Sequence, residues 1–305
     1  MSTPTDNSNE SNAADKRQPN WLFRLIRALA IGYMVLLCVL PFLQTYLIFP
    51  GMWLRPANPA PMNSDGIEPL TLQMQDGSKV AAMFCRAIRQ RGNPDSLAPT
   101  IIYFYGNASS MACSEVEIEL FRRCGANVLL ADYPGFGAST GQPSEESIYA
   151  MADALWNYAL TRSDVDPHRI ISVGWSIGGA VAVELAQRRP IAGLMTVSTF
   201  TSMQAMAHRQ LPYMPTNLFL RYHFSNIDKM SSIHCPVVIV HGSEDQIVPE
   251  EMSHELAAVC SPFLYRFLTV QNAEHNDIFS VGFNEISAAL VDLLSLADQP
   301  HATVK

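Results

Sequence analysis

The sequence contains only six cysteines, and none of them forms a CxxC pair or has the spacing of metal ligands. Cys38 lies in a long uncharged stretch, which leaves an odd number elsewhere. Cys113 and Cys124 lie on one predicted helix at a separation of about 16 Å, too far for a disulfide. The cysteines therefore favour buried free thiols over a disulfide framework, and they predict no metal site.

An excess of basic residues is also absent. The chain has 20 Lys and Arg against 28 Asp and Glu, for a formal net charge of -8, and no basic stripe. A nucleic-acid-binding surface needs such cations to neutralise phosphates, so nucleic acid is excluded as a partner. With 305 residues, 48% of them hydrophobic, the chain is long enough to bury a large core.

Charge of either sign is missing from Ala28 to Leu54. This stretch exceeds the roughly 20 apolar residues that cross a bilayer, and Pro41 would kink a helix without preventing its insertion. Four cations precede the stretch, namely Lys16, Arg17, Arg24 and Arg27. Only one, Arg55, follows it closely. The excess of preceding cations predicts a single-pass protein with a cytoplasmic N-terminus and an extracytoplasmic main domain.

Two alternatives to a transmembrane anchor are a cleaved signal peptide and an interfacial or buried helix. The apolar run is longer than the core of a signal peptide, and no small-residue cleavage site is evident. The anchor is therefore the favoured interpretation of residues 21–54.

The remaining chain divides by composition. Residues 1–20 are polar without apolar periodicity and predict a disordered tail. Residues 55–66 form a Pro-rich linker, residues 67–298 the main domain, and residues 299–305 a short tail. The sequence contains no internal repeat.

The main domain begins with two strand-like segments, EPLTLQM and KVAAMFCRA, joined by a turn at Asp76-Gly77. They predict an antiparallel pair at the edge of a sheet. Apolar runs then alternate with helical segments; the runs are PTIIYFYG, ANVLLADYPG, RIISVGW, IAGLMTVS, CPVVIVHG and YRFLTV. This alternation predicts an α/β fold with a mostly parallel sheet flanked by helices, and sites at the carboxyl ends of its strands.

Residues 199–233 interrupt that alternation, because they lie between two strands and predict no strand themselves. One interpretation is an ordinary pair of connecting helices. The other is a small helical cap whose apolar side chains would form an adaptable wall over the site. These side chains are Met203, Met206, Leu211, Met214, Leu218 and Phe219.

The stretch VGWSIGGA places Ser176 directly after a predicted strand and directly before a predicted helix. A nucleophilic serine on so sharp a turn adopts a strained backbone conformation with positive φ, which brings the residues two positions away into contact. Gly174 and Gly178 meet the resulting demand for small residues. The amino end of the following helix adds amides and a positive dipole end beside the serine oxygen.

A serine hydroxyl needs a base, and the base needs a carboxylate, in the chain order serine, acid, histidine. Asp245 follows the strand VVIVHG, and His275 lies in the loop after the last strand. Both are at the carboxyl ends of their strands, as Ser176 is. Glu244 and Asp277 compete with Asp245 for the role of acid, and Asp277 could instead orient the histidine loop. The other histidines are expected to be structural or exposed.

The tetrahedral intermediate of acyl transfer needs two backbone N–H donors. We expect one from Ile177, directly after the nucleophile, and the other from the loop after strand PTIIYF. Asn107 is the favoured donor there and Ala108 the alternative. The same GNAS sequence is also compatible with a turn and a helix cap.

Several of these motifs, taken in order, resemble the α/β-hydrolase family from about residue 67 to the end. They are YFYGNASS, ADYPGFGASTGQPSEESIY, HRIISVGWSIGGAVAVELA, FSNIDKMSSIHCPVVIVHGSEDQIVP and AEHNDIF. They are similar to the serine aminopeptidase or lysophospholipase-like branch and, within it, to membrane-associated hydrolases that include palmitoyl-protein thioesterases. The resemblance implies Ser176, Asp245 and His275 as nucleophile, acid and base. One departure is Tyr105-Gly106, where family members usually have His-Gly.

The expected activity is hydrolysis of an acyl ester or thioester through an acyl-enzyme intermediate, with no metal and no cofactor. A lipid-like substrate would suit the anchor and the apolar cap. A serine peptidase or an acyltransferase would use the same three residues. A non-catalytic binding protein on the same fold is a further alternative.

Overall fold

The structure is a computed structural model that describes residues 21–53, 66–88 and 97–297. The predicted polar tail 1–20 and the tail 299–305 lie outside the described residues. The predicted linker 55–66 also lies outside them, except for Gly66. The chain divides into two compact units, Met1–Phe42 and Leu43–Lys305.

The first helix, α1 (Trp21–Ile48), is long and apolar enough to cross a membrane. Its uncharged portion begins at Ala28. It is the one helix with these properties in the described part of the chain. The division between the two units falls within α1, so that Leu43 and the residues after it belong to the same unit as the main domain.

Within the described ranges the strands form one eight-stranded sheet in the order β1-β2-β4-β3-β5-β6-β7-β8. Strand β2 is antiparallel to both β1 and β4, and the other pairs are parallel. The mostly parallel sheet confirms the predicted fold class. The strands are β1 (Ile67–Gln73), β2 (Lys79–Cys85), β3 (Thr100–Phe104), β4 (Asn127–Ala131), β5 (Ile170–Trp175), β6 (Gly193–Val197), β7 (Val237–Gly242) and β8 (Leu264–Val270).

The antiparallel pair β1 and β2 is closed by the predicted turn. The carboxylate of Asp76 accepts hydrogen bonds from the backbone N–H and the hydroxyl of Ser78, at 2.9 and 2.6 Å. Gly77 has a φ of 85°, a conformation that glycine adopts without strain. The register pairs Ile67 with Cys85.

Helices cover both faces of the sheet. After α1, the described helices are α2 (Glu115–Arg123), α3 (Glu145–Thr161), α4 (Ile177–Arg188), α5 (Met203–Gln210), α6 (Asn226–Met230), α7 (Glu250–Val259), α8 (Ile278–Val281) and α9 (Phe283–Ala297). One layer contains α3, α4, α6 and α7, and the other contains α2, α8 and α9.

The core lies on both sides of the central strands. Every residue of β3, β4, β6 and β7 is buried. Such continuous apolar strands are typical of a parallel sheet covered on both faces. Each fully buried Val, Ile or Leu side chain contributes about 1.5–3 kcal/mol. This packing fixes the strand ends, and the loops that follow them, in place.

The segment between β6 and β7, to which we refer as the cap, contains α5 and α6 joined by turns, a structure that both interpretations of the sequence predict. The Thr216 hydroxyl accepts a hydrogen bond from Gln204 at 2.8 Å, which links the turns to α5. Phe49, which follows α1, is buried and packs edge-on against Tyr222 and Phe224 of this segment. Residues of the predicted anchor region 21–54 thus contribute to the packing of the cap.

Candidate active site

The topology places two site loops beside each other. Strands β3 and β5 are neighbours in the sheet, although β4 lies between them in the chain. Phe104, at the end of β3, pairs with Gly174 near the end of β5. In doubly wound sheets, ligands bind at such a switch in strand order, outside the carboxyl ends of the strands. The loops that carry Asn107 and Ser176 are therefore adjacent.

Ser176 occupies the turn between β5 and α4 with a φ of 56° and a ψ of -121°. Its backbone N–H donates to the Val197 carbonyl at 2.9 Å, and its carbonyl accepts from the Thr199 hydroxyl at 2.7 Å. A positive φ at a residue with a β-carbon is costly and persists only where the surroundings enforce it. The bonds to Val197, the last residue of β6, and to Thr199, two residues later, supply that constraint.

The glycines on either side of the turn have no room for a side chain. A β-carbon at Gly174 would lie 2.1 Å from the Gly178 carbonyl oxygen. A β-carbon at Gly178 would lie 2.0 Å from the Phe104 carbonyl oxygen. Both contacts are with backbone, which cannot move aside as a side chain can. The geometry agrees with the small residues that the sequence predicts at these positions.

The structure brings Ser176, His275 and Asp245 together. The Ser176 hydroxyl lies 3.0 Å from Nε2 of His275, and Nδ1 of His275 lies 2.7 Å from Oδ2 of Asp245. Ser176 and His275 are buried, and the Asp245 carboxylate is fully covered. The three side chains form a continuous chain of hydrogen bonds from hydroxyl to carboxylate.

The Asp245 carboxylate is held in its ionised form. Its Oδ1 accepts hydrogen bonds from the backbone N–H groups of Ile247 and Val248 at 3.0 and 2.9 Å. Burial by itself would raise the pKa of Asp245, but the hydrogen bond and charge of His275, with the Val248 amide, outweigh burial and lower it. The carboxylate can therefore orient and stabilise a positively charged His275.

A second buried histidine, His241, lies behind Asp245. Its Nε2 is 2.9 Å from the Val248 carbonyl and 3.5 Å from Asp245 Oδ2. Because a carbonyl only accepts, Nε2 carries the proton, and Nδ1 accepts from the Ser253 hydroxyl at 2.6 Å. Burial lowers the pKa of His241 and favours this neutral form. His241 thus braces the loop that carries the acid.

The two competing acids occupy other positions. Glu244 is exposed, and its backbone N–H donates to the Ala273 carbonyl at 3.0 Å. Asp277 accepts from the backbone N–H of Glu274 at 2.7 Å, inside the loop that carries His275. Asp277 therefore makes a contact that orients the histidine loop, which is the alternative role that the sequence predicted for it.

Trp175, the residue before the serine, contacts the histidine loop in a way that the sequence did not indicate. Its indole N–H donates to the carbonyl of His275 at 3.2 Å. The two rings lie 5.6 Å apart between centroids. One side chain thereby connects the serine turn to the histidine loop, across 100 residues of sequence.

The residue that replaces the family histidine, Tyr105, anchors the loop after β3. Its hydroxyl donates to Asp132 Oδ1 at 3.1 Å and accepts from the backbone N–H of Tyr133 at 3.1 Å. The Tyr133 hydroxyl in turn donates to the Tyr105 carbonyl at 2.6 Å. The tyrosine thus provides reciprocal hydrogen bonds that hold this loop, so its position does not depend on a histidine.

The expected amide donors lie on the two neighbouring loops. Ile177 is the first residue of α4, so its N–H has no partner within the helix. The Asn107 side chain donates to the Ile48 carbonyl, and its oxygen accepts from the backbone N–H of Ala108 at 3.1 Å. The Ala108 amide is therefore already engaged, which favours Asn107 over Ala108 as the donor.

This constellation has the chemical elements of nucleophilic acyl transfer: a hydroxyl, an imidazole within hydrogen-bond reach, and a carboxylate that orients the imidazole. Among the described side chains, no group of three or more His, Cys, Asp or Glu could hold a metal ion. The chemistry that these residues can perform relies on proton transfer and backbone dipoles.

Known proteins are similar to this chain in sequence and in fold. A family model described as alpha/beta hydrolase fold matches residues 99–222. The chain is 37% identical over 180 residues to an uncharacterized protein of Mycobacterium tuberculosis, a match that covers 59% of this chain and 63% of that protein, less than two thirds of its length. It is 34% identical over 217 residues to alpha/beta hydrolase domain-containing protein 17B of Xenopus laevis, covering 70% of this chain and 71% of that protein.

An esterase of Pyrococcus furiosus has a similar structure, with a TM-score of 0.61 and 19% identity over 75% of this chain and 91% of the esterase. At this identity the likeness shows the fold alone. Together with the family match, the Xenopus relative and the strand order, it leads to one conclusion: the chain belongs to the α/β-hydrolase family.

Proposed function

We propose that this protein is a membrane-anchored serine hydrolase that cleaves acyl esters or thioesters. The proposal rests above all on the hydrogen-bonded series Ser176, His275 and Asp245, with distances of 3.0 and 2.7 Å. The three side chains are buried and hydrogen-bonded in this order, and the serine lies on a strained turn before a helix. This arrangement matches the requirements of a nucleophile with its base and acid.

In the proposed mechanism, Nε2 of His275 removes the proton of the Ser176 hydroxyl as the oxygen attacks the substrate carbonyl carbon. The backbone N–H groups of Ile177 and Asn107 bind the oxyanion of the tetrahedral intermediate. His275 then gives its proton to the leaving alcohol or thiol, and the acyl group stays on Ser176. A water molecule, deprotonated by His275, hydrolyses this ester and restores the enzyme.

The membrane part of the proposal rests on α1. The helix has the length and composition of a single span, and the cations that precede it favour a cytoplasmic N-terminus with an extracytoplasmic hydrolase domain. A reporter fused after Lys305 is expected to behave as extracytoplasmic. A cytoplasmic signal from that reporter would contradict the orientation.

A fluorophosphonate probe tests the catalytic part, because it reacts covalently with an activated serine. The full-length protein is expected to be labelled, and Ser176→Ala to lose all labelling. As a matched control, Ser172→Ala removes a buried serine of β5 whose hydroxyl donates to the Ala182 carbonyl, and it is expected to keep the label. Equal labelling of Ser176→Ala and the unaltered chain would reject the assignment, and absence of labelling in both would favour a non-catalytic binding protein.

A substrate panel separates the remaining alternatives. We expect turnover of p-nitrophenyl esters, monoacylglycerols, lysophospholipids or acyl thioesters, and none of aminoacyl amides. Preferential cleavage of aminoacyl amides would indicate a serine peptidase. Transfer of the acyl group to an added alcohol in preference to water would indicate an acyltransferase.

A further inference from the structure

Exposed apolar side chains are concentrated in two segments of the hydrolase unit. We call residues 43–53 the helix-end segment and residues 211–218 the cap tip. Tyr213 and Leu218 of the cap tip are 89% and 78% exposed, and Trp53 is 68% exposed. Grouped apolar side chains of this size mark a surface that contacts another protein or a membrane. The other large exposed apolar residues within these two segments are Leu43, Tyr46, Leu47 and Leu211.

Hydrogen bonds attach the cap to the helix-end segment. The Gln44 side chain donates to the Phe219 carbonyl at 2.7 Å and accepts from the backbone N–H of Arg221 at 2.8 Å. The hydroxyls of Thr45 and Tyr222 lie 2.7 Å apart. The residues that directly follow the cap tip are thus fixed to the last two turns of α1.

The length of α1 sets the depth of these contacts in a bilayer. The uncharged portion from Ala28 to Ile48 measures about 31 Å as a helix, which matches the roughly 30 Å of the hydrocarbon layer. Gln44 lies four residues before the end of the helix, about 6 Å inside it. Leu218 precedes Phe219, which Gln44 contacts. With α1 spanning the bilayer as proposed, the residues that follow Leu218 are attached to the part of the helix nearest the boundary of the hydrocarbon layer.

The burial of Gln44 supports this placement. Its side chain is 5% exposed, and both of its amide atoms are bonded to the backbone of the cap. An amide at that depth is costly unless its hydrogen bonds are made within the protein. The cap supplies them, so the helix can carry a glutamine in its last turns.

The charge of the cap suits a lipid surface. Residues 185–227 contain no Asp or Glu, although the chain has 28 of them. Arg209 and Arg221 lie on the exposed part of this stretch. Lipid phosphates attract arginine and repel carboxylates, so this composition favours contact with headgroups, whereas the rest of the chain has an acidic excess.

We propose that the cap tip is a lipid-contacting surface, which inserts Tyr213 and Leu218 into the bilayer interface beside the end of α1. This inference rests on the membrane anchoring in the proposed function and goes beyond it. The cap then stays at the membrane surface, and acyl substrates reach the hydrolase from the bilayer side.

Fluorophores at single positions of the full-length protein test this proposal in vesicles of phosphatidylcholine and phosphatidylglycerol. The exposed native cysteines, Cys38 and Cys113, are replaced by serine, and this background chain, treated with the same label, provides the blank. A nitrobenzoxadiazole label is attached at Leu218→Cys, at Leu36→Cys within α1, and at Val291→Cys on α9. Tyr213→Cys provides a second position in the cap tip. Lipids with a doxyl quencher on the acyl chain report contact with the hydrocarbon region.

The expected result is strong quenching and a blue-shifted emission at Leu36, Leu218 and Tyr213, with neither at Val291. Quenching at Leu36 but not at Leu218 or Tyr213 would overturn the lipid-contacting surface and leave the anchor intact. Loss of quenching at Leu36 as well would reject the membrane anchor itself, and the surface with it. Equal quenching at Val291 would mean adsorption of the whole domain and would also overturn the proposal.

Discussion

Trp175→Phe is expected to lower the turnover number while leaving the proposed catalytic side chains in place. The substitution keeps an aromatic ring and removes the indole N–H that donates to the His275 carbonyl at 3.2 Å. A neutral hydrogen bond of this kind contributes about 0.5–1.5 kcal/mol. If that free energy holds His275 in its reactive position, kcat falls about 2- to 12-fold.

Steady-state kinetics on a soluble p-nitrophenyl ester measure this effect. KM is expected to change little, because Trp175 acts through His275 and makes no contact of its own in the proposed mechanism. Trp156→Phe is the matched control, since Trp156 is a buried tryptophan of α3, a helix that carries none of the proposed catalytic residues. It is expected to lower the free energy of unfolding while kcat stays unchanged. An unchanged kcat in Trp175→Phe, or an equal loss in Trp156→Phe, would refute the positioning role.

Two further predictions concern stability. Tyr105→Phe leaves Asp132 Oδ1 and the backbone N–H of Tyr133 each without one buried partner, so urea unfolding should show a loss of about 1–3 kcal/mol in the free energy of unfolding. The control is Tyr103→Phe, which should cost little because the buried hydroxyl of Tyr103 has no partner among the described residues. Equal losses in the two variants would contradict the argument. Because burial lowers the pKa of His241 below its ordinary 6.5, the unfolded chain binds more protons there as the pH falls. The unfolding free energy should therefore decrease more steeply from pH 7 to 5 than in His241→Gln, and identical slopes would show that His241 does not titrate this way.

The sheet could be predicted from the sequence because its strands are buried on both faces and read as continuous apolar runs. All residues of four strands, β3, β4, β6 and β7, are buried. Helices between these strands are recognisable by an amphipathic pattern, as in α2, or by a capping residue at the first turn, as in α3. Parallel order then places Ser176, Asp245 and His275 at one edge without further information. The chain order of these three residues indicated the site, and the structure brings them together.

The supports of the site could not be predicted in this way, because they are contacts between distant residues that no local pattern encodes. The bond from Trp175 to His275 joins residues 100 apart, and that from Asn107 to Ile48 joins residues 59 apart. Tyr105 appeared in the sequence only as a departure from the family pattern. Its partners, Asp132 and Tyr133, follow the neighbouring strand β4, so the compensation depends on the packing of two loops.

The helix-end segment links the loop after β3 to the cap. The Ile48 carbonyl is among the last of α1 and has no acceptor role within the helix, and the side chain of Asn107 satisfies it. One turn earlier, Gln44 binds the backbone of the cap on both sides of Leu220. The same short stretch therefore holds the proposed oxyanion donor and the proposed lipid-contacting surface. Each attachment pairs one side-chain amide, that of Asn107 or Gln44, with backbone atoms of a distant segment. Because every residue has such backbone atoms, the sequence does not indicate which of them the amide meets.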